Sequence, residues 1–402
     1  MSGRLVTGSR KSALARLQAY HVVAAIQKRH PGLRNEFYFR ESVGDADQKT
    51  PLWQMDGQGV FTAELTADLE AGSCDLVVHS HKDLETATRK KTEVWSALPR
   101  ADARDLILFK RSWLETGSKD KLTIYTSSPR RQYNLLSLLP RVLPKSKRPQ
   151  SLDFAVIRGN IQTRLRKFME SEGNALIMAK AALDRILATD FKESADAEFV
   201  QIRAAIQTVL QDCEFMVLPL SANPCAPAQG AFACEFRTDD ARVREMVEDI
   251  NHRITEDSVW RERQILAQYG GGCHQKIGVA HIPLGGRSVT FVRGETDGGE
   301  KLDQAIIDTD TADSYVTKTE KASNWPPADW QMPDSMSMLW EIDHDQGRAF
   351  YDDRDNSVTR ETWIATAHLQ AWFNAAEADE WITATADSMG WAHVPDLSLL
   401  AV

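Results

Sequence analysis

Residues 152–168 read LDFAVIRGNIQTRLRKF. A β-prone apolar tract, 152–157, runs into a turn at Gly159-Asn160 and then into a helical run, the signature of a strand-to-helix junction. The same alternation extends outward in both directions. Leu122–Tyr125 is strand-like and leads into TSSPRRQYNLLSLL, and further β-like runs stand at Leu106–Phe109 and Ala175–Met178. Upstream, Leu5-Val6 precedes Ser12, an N-cap type residue, and then a helix with Leu14, Leu17, Val22, Val23 and Ile26 on one face. Phe61, Leu65 and Leu69 mark a second helix ending at Gly72, before the strand-like DLVVHS of 75–80. Downstream, 186–217 reads as mostly helical, and 238–266 as one or two charged amphipathic helices. The loop GGGCHQKIG and the strand-like VAHIPL and VTFVRG follow. Such alternation predicts an α/β fold.

A chain of 402 residues is long enough for two or three domains. At 42% hydrophobic and 26% charged it is an ordinary globular composition, not collagen-like, disordered or disulfide-scaffolded. No run of about 18 apolar residues is present, so no membrane span is expected, and the first residues lack the apolar stretch of a secretory signal. Five cysteines, at 74, 213, 225, 234 and 273, are odd in number and lack CxxC spacing, so a cytoplasmic protein without a zinc cage is expected. The net charge of −9 is uneven. Residues 296–402 carry 21 acidic and 6 basic side chains and seven of the eleven tryptophans, leaving the rest of the chain at +6. That surplus is too diffuse for a nucleic-acid stripe.

The arginines carry the strongest chemical signal. Ser128 and Pro129 begin a helix whose first turn holds Arg130 and Arg131, where the helix dipole disfavours cations. Arg158 follows a strand and Arg164 lies a turn or two into the next helix, while Arg10 precedes the first helix. Singly each reads equally as solvated surface. As a set at strand-to-helix junctions, where α/β ligands bind, they point to a ligand with several carboxylates. Asp83, in HSHKD after a strand, is either a turn cap or an acid/base; of His79 and His81, one is expected in the core. No third ligand at metal spacing accompanies them. Cys273 after three glycines is either a thiol presented to another molecule or a buried structural cysteine.

Eight segments in order, GSRKSALARLQA (8–19), GQGVFTAEL (57–65), DLVVHSHKDL (75–84), TSSPRRQ (126–132), RGNIQTRL (158–165), ALIMAKAALDRI (175–186), PAQGAFACE (227–235) and GGCHQKIG (271–278), resemble hydroxymethylbilane synthases, also called porphobilinogen deaminases. The resemblance implies a transferase that joins four porphobilinogens head to tail with release of ammonia. Cys273 would hold a dipyrromethane cofactor through a thioether. Asp83 would be the catalytic carboxylate with Lys82 beside it, acting on azafulvene-like intermediates. Arg130, Arg131, Ser127, Ser128 and Lys82 would bind the cofactor; Arg10, Ser12, Gln18, Arg158, Arg164 and Arg185 would bind substrate. No metal, nucleic acid or membrane is implied, and a monomer is expected.

The family fold implies two lobes like those of type 2 periplasmic binding proteins and a smaller α+β cofactor domain. The expected divisions are 1–100 with 218–238, then 101–217, then 239–315, with 316–402 as an extension. That extension faintly resembles part of uroporphyrinogen-III synthase, making this enzyme a candidate partner. Departures are Gln58 and Ala63 for lysines, Glu85 for a proline, Pro129 for a leucine, Ala182 and Asp184 within an AGLKR pattern, and Lys276 for a proline. The segment 186–217 is longer than usual. None of these removes the thiol, the aspartate or an arginine, which favours an enzyme. The alternatives are a non-catalytic oligopyrrole-binding or regulatory relative, and a solute receptor on the same scaffold.

Overall fold

Two five-stranded sheets share one plan. The first holds β1 (Arg4–Arg10), β2 (Arg34–Arg40), β3 (Leu76–Ser80), β4 (Thr92–Ala97) and β10 (Phe232–Arg237), in the order β2-β1-β3-β10-β4. The second holds β5 (Asp105–Lys110), β6 (Lys121–Tyr125), β7 (Ser151–Ala155), β8 (Ala175–Ala179) and β9 (Cys213–Val217), in the order β7-β6-β8-β5-β9. In each, a parallel trio borders an antiparallel strand that arrives only after the chain has crossed from the other sheet. The computed structural model describes residues 3–42, 62–85, 89–116, 120–143, 148–189, 191–271, 275–284, 287–309, 316–321, 337–343, 348–353 and 358–363.

Parallel neighbours need crossover connections, and helices supply them. They are α1 (Ala13–Arg29) and α2 (Ala63–Glu70) in the first lobe; the second has α3 (Arg111–Thr116), α4 (Pro129–Val142), α5 (Ile161–Glu170), α6 (Lys180–Leu187) and α7 (Ala197–Gln211). The expected helices and central strands stand where the periodicity puts them, and Gly72 ends α2 with φ +78°. Helix α1 serves both lobes. Ala19, Val22 and Ile26 pack in the core of the first sheet, whereas Leu17 belongs to the core of the second.

The tract read as mostly helical, 186–217, ends in strand β9, whose five residues are too few to show a period. Helix α8 (Ala241–Glu248) packs Val243, Met246 and Val247 into the first core. Helix α9 (Arg253–Gln268) lies on the antiparallel meander β11 (Gly278–Leu284), β12 (Arg287–Glu295), β13 (Lys301–Thr309) and β14 (Val316–Lys321). Beyond it β15 (Ser337–Asp343), β16 (Arg348–Asp353) and β17 (Val358–Trp363) form a separate meander. Among the described residues, no helix is long and apolar enough to cross a membrane.

Glu262 joins three stretches of chain that are distant in sequence. Fully buried, it accepts both guanidinium ends of Arg100, at 2.8 and 2.9 Å, from the outgoing crossover. It also accepts the Ala228 amide at 2.7 Å from the return crossover and the His281 amide at 2.8 Å from β11. The return is tight: at Gly230, φ +86°, an added Cβ would lie 2.5 Å from the Ala101 carbonyl. Removing one partner of a buried ion pair strands the other. Glu262→Gln is therefore expected to cost about 3–5 kcal/mol, read as a lowered denaturant midpoint.

Candidate active site

The carboxyl ends of the parallel strands in both sheets carry the predicted residues, as α/β folds arrange their ligand sites. Strand β1 ends at Arg10 and β3 leads into a 3-10 turn, His81–Asp83. Strand β6 leads through Thr126, Ser127 and Ser128 into α4, and β7 leads through Arg158 into α5. Local chemistry fixes each junction. The Ser128 hydroxyl accepts the Arg131 amide as N-cap with Pro129 following, and the Asn160 side chain accepts the Thr163 amide at 2.9 Å. The Ser127 hydroxyl donates to the Ile157 carbonyl, binding one junction to the other. Ser12 stands at the N-cap position of α1 without a side-chain cap bond.

Asp83 faces Arg10, with a carboxylate oxygen 3.5 Å from a guanidinium nitrogen, and about a quarter of its side chain is exposed. Next to it the Lys82 ammonium donates to the Gln229 amide oxygen at 3.2 Å. Gln229 in turn donates to the Asp105 carboxylate at 2.9 Å. Asp105, fully buried at the start of β5, binds Arg130 at 2.8 Å and Arg131 at 2.6 and 3.1 Å. It also accepts from Asn223 at 3.0 Å. Burial would push the Asp105 carboxyl up, but Arg131 and Arg130 outweigh it and hold it below the usual carboxylate range.

Sequence reasoning missed Asp105, Gln229 and Asn223. The signal lay in the pairing of two first-turn arginines, which in a buried site demand a carboxylate. One aspartate against Arg130 and Arg131 leaves one positive charge over. Burial lowers the Lys82 ammonium to about 8 and the Arg164 guanidinium to about 10, the latter helped by the nearby charges of Arg131 and Arg158. The cations thus form one electrostatic cluster, with Asp83 and Asp105 as the acids acting on it.

Arg185 is held differently. Its guanidinium donates to the Gly230 carbonyl at 2.6 Å and lies 4.0 Å over the Phe232 ring, both in the first lobe. The neighbouring departure, Asp184, is met by Lys180, whose buried ammonium lies 2.8 Å away. Gln18 is buried, its amide exchanging hydrogen bonds with the Ser80 hydroxyl at 2.9 and 3.1 Å, which ties α1 to the end of β3. His79 and His81 are both core residues. His79 binds buried Glu235 at 2.9 Å and His81 pairs with Ser96 at 3.1 Å, where burial holds its imidazole well below the usual range. At the Glu85 departure it is the backbone that is used: the carbonyls of Leu84 and Glu85 accept from Arg263 of α9.

Cys273 and Gln58 lie outside the described residues. The segment that follows Cys273 reaches the arginines. At Gly278 an added Cβ would stand 3.0 Å from the Arg130 side chain and 2.3 Å from the Pro224 carbonyl. The other cysteines, 74, 213, 225 and 234, are buried free thiols, and burial pushes each up to about 12, so none is poised as a nucleophile. Among the described residues no group of three His, Cys, Asp or Glu could hold a metal.

The family model for "Porphobilinogen deaminase, dipyromethane cofactor binding domain" matches residues 5–245. The porphobilinogen deaminase of Nitrobacter hamburgensis is 34% identical over 317 residues, covering 78% of this chain and 86% of that protein. Those of Geobacter sulfurreducens and Trichlorobacter lovleyi are each 32% identical, over 75% and 79% of this chain and 85% and 92% of their own. Arginines gathered at strand ends, a carboxylate beside them and this similarity along most of the sequence agree: the chain belongs to the porphobilinogen deaminase family.

Proposed function

We propose that Asp83 is the catalytic carboxylate of this enzyme and that the arginines around it divide between cofactor and substrate. As a family member the chain is a transferase, condensing four porphobilinogens into hydroxymethylbilane with release of ammonia, and it uses a dipyrromethane cofactor. The observation that carries the assignment is the Arg10–Asp83 pair at 3.5 Å, at the edge of a cluster of buried cations. Each condensation breaks the aminomethyl C–N bond of one porphobilinogen, joins that carbon to the free α-carbon at the pyrrole end of the growing chain and releases ammonia; the proton that α-carbon loses restores the acid. Asp83 gives a proton to that amine, and the carboxylate left behind faces the positive charge on the substrate's pyrrole nitrogen.

The residues fit the cofactor, since each pyrrole unit brings two carboxylates and the cluster has cationic charge to spare. When bound, the dipyrromethane supplies the pyrrole end from which the product grows. Cys273 would carry it, and Arg130, Arg131, Ser127, Ser128 and Lys82 would hold its acid groups. Arg10, Ser12, Arg158, Arg164 and Arg185 would take the substrate's acetate and propionate. Gln18 would act through Ser80.

The three-domain division goes with this reading, with boundaries adjusted to the packing. The first lobe is 1–100 with 218–251, the second 101–217, and the cofactor domain 252–321. The rest of 316–402 would be an interaction module, with uroporphyrinogen-III synthase a candidate partner for a monomeric, cytoplasmic enzyme.

Asp83→Asn is expected to keep its fold and cofactor yet lose turnover at least a hundredfold; near-normal turnover would overturn the role. Intact mass is expected to show a dipyrromethane adduct that Cys273→Ser lacks, and an adduct retained in that variant would move the attachment elsewhere. Lys82, lowered to about 8 from its ordinary 10.5, loses its charge above pH 8 in the folded protein. The activity profile should fall on its alkaline side near pH 8, and Lys82→Arg, which stays charged, should move that limb upward. In stability the sign is opposite. From about pH 8 to 10.5 the unfolded chain binds the extra proton, so Lys82 alone makes stability rise with pH.

A further inference from the structure

Arg130 and Arg131 are held by a carboxylate, which cancels part of their charge; Arg185 is held by a carbonyl and an aromatic face, which do not. Burial lowers its guanidinium to about 10, so it remains a full cation at neutral pH. The ring beneath it is part of a longer series. Phe232 stacks against His21 of α1, with centroids 6.4 Å apart and planes at 22°. His21 meets Phe191 at 5.3 Å, and Phe191 meets Phe199 of α7 edge-on at 5.6 Å. Phe199 closes on Tyr20 of α1 at 6.3 Å, and Arg16 of α1 pairs with Glu198 of α7 at 2.5 Å.

We propose that Phe191 is a positioning residue for Arg185. Phe191 is wedged against His21, which fixes the tilt of the Phe232 ring and so the plane of the guanidinium resting on it. Arg185 belongs to the second lobe and Phe232 to the first, so the stack also sets the distance between lobes at this edge of the site. A cation over an aromatic face is attracted to it and keeps its outward N–H groups for a ligand carboxylate. The inference rests on the reading of Arg185 as a substrate-carboxylate ligand.

Kinetics with porphobilinogen and the NMR signal of the Arg185 side chain, assigned by its loss in Arg185→Gln, test the two separately. Phe191→Ala is expected to raise KM about fivefold with kcat within twofold, and to move the Arg185 resonance out of its ring-current-shifted position. Phe191→Tyr should restore both. Ile206→Ala empties part of the same core while keeping every ring of the series, and should lower Tm while leaving KM and the resonance in place. In an Arg185→Gln background Phe191→Ala should add nothing to KM. If Phe191→Ala leaves both KM and the resonance unchanged, or Ile206→Ala shifts them equally, the positioning role is wrong. If Arg185→Gln leaves KM unchanged while Phe191→Ala moves the resonance, it is the substrate role of Arg185 that fails.

Discussion

A single buried carboxylate decides how this site is assembled. Asp105 has no exposure, and its two oxygens take hydrogen bonds from Arg130, Arg131, Asn223 and Gln229. Those partners come from helix α4 and from the return crossover, while Asp105 itself opens β5. Without it two guanidinium groups would be buried side by side with no carboxylate bonded to them, an arrangement costly in desolvation and repulsion. With it, one charge is neutralised and the arginines are fixed in orientation. The amide of Gln229 then extends the same network to Lys82, one residue from Asp83.

The second constraint is the joint at Glu262. A carboxylate fully withdrawn from water bonds the outgoing crossover, the return crossover and β11, so α9 and its meander are registered against both crossovers by one side chain. Arg263, its neighbour on α9, holds the carbonyls after Asp83. Adjacent residues of α9 therefore hold the two crossovers and brace the turn that carries Asp83. The proline that Glu85 replaces is not missed at this point, because the backbone carbonyl does the bonding.

Much of this was legible in the sequence, for definite reasons. LDFAVIRGNIQTRLRKF, TSSPRRQ and HSHKD are local signals in which strand, cap and charge lie within one turn of each other. The structure has strands and helices at those places, with Ser128 capping its helix. What stayed hidden depends on partners distant in sequence. Asp105 looks like an ordinary strand residue until Arg130 folds onto it. His79 and His81 looked like alternating faces, yet both are buried, His79 against Glu235 of β10 and His81 against Ser96 of β4. The five residues of β9 and the seven of β2 were too short or too mixed to show a period. Helix α8 reads like α9, and only packing assigns it to the first core.

The plan of the two sheets has a consequence for how the protein acquires its structure during synthesis. The first sheet needs β10 between β3 and β4, and β10 ends at Arg237. A nascent polypeptide emerging from the ribosome therefore holds β3 and β4 without the strand that joins them until the whole second lobe has been translated. Helix α1 adds to the delay, because Leu17 has no core to enter until β5–β9 have formed. The early lobe must wait with two unsatisfied strand edges, which exposes it to mispairing and to chaperones. Its last strand is also the one that carries Phe232, so the two lobes close and the platform for Arg185 is completed in the same late step.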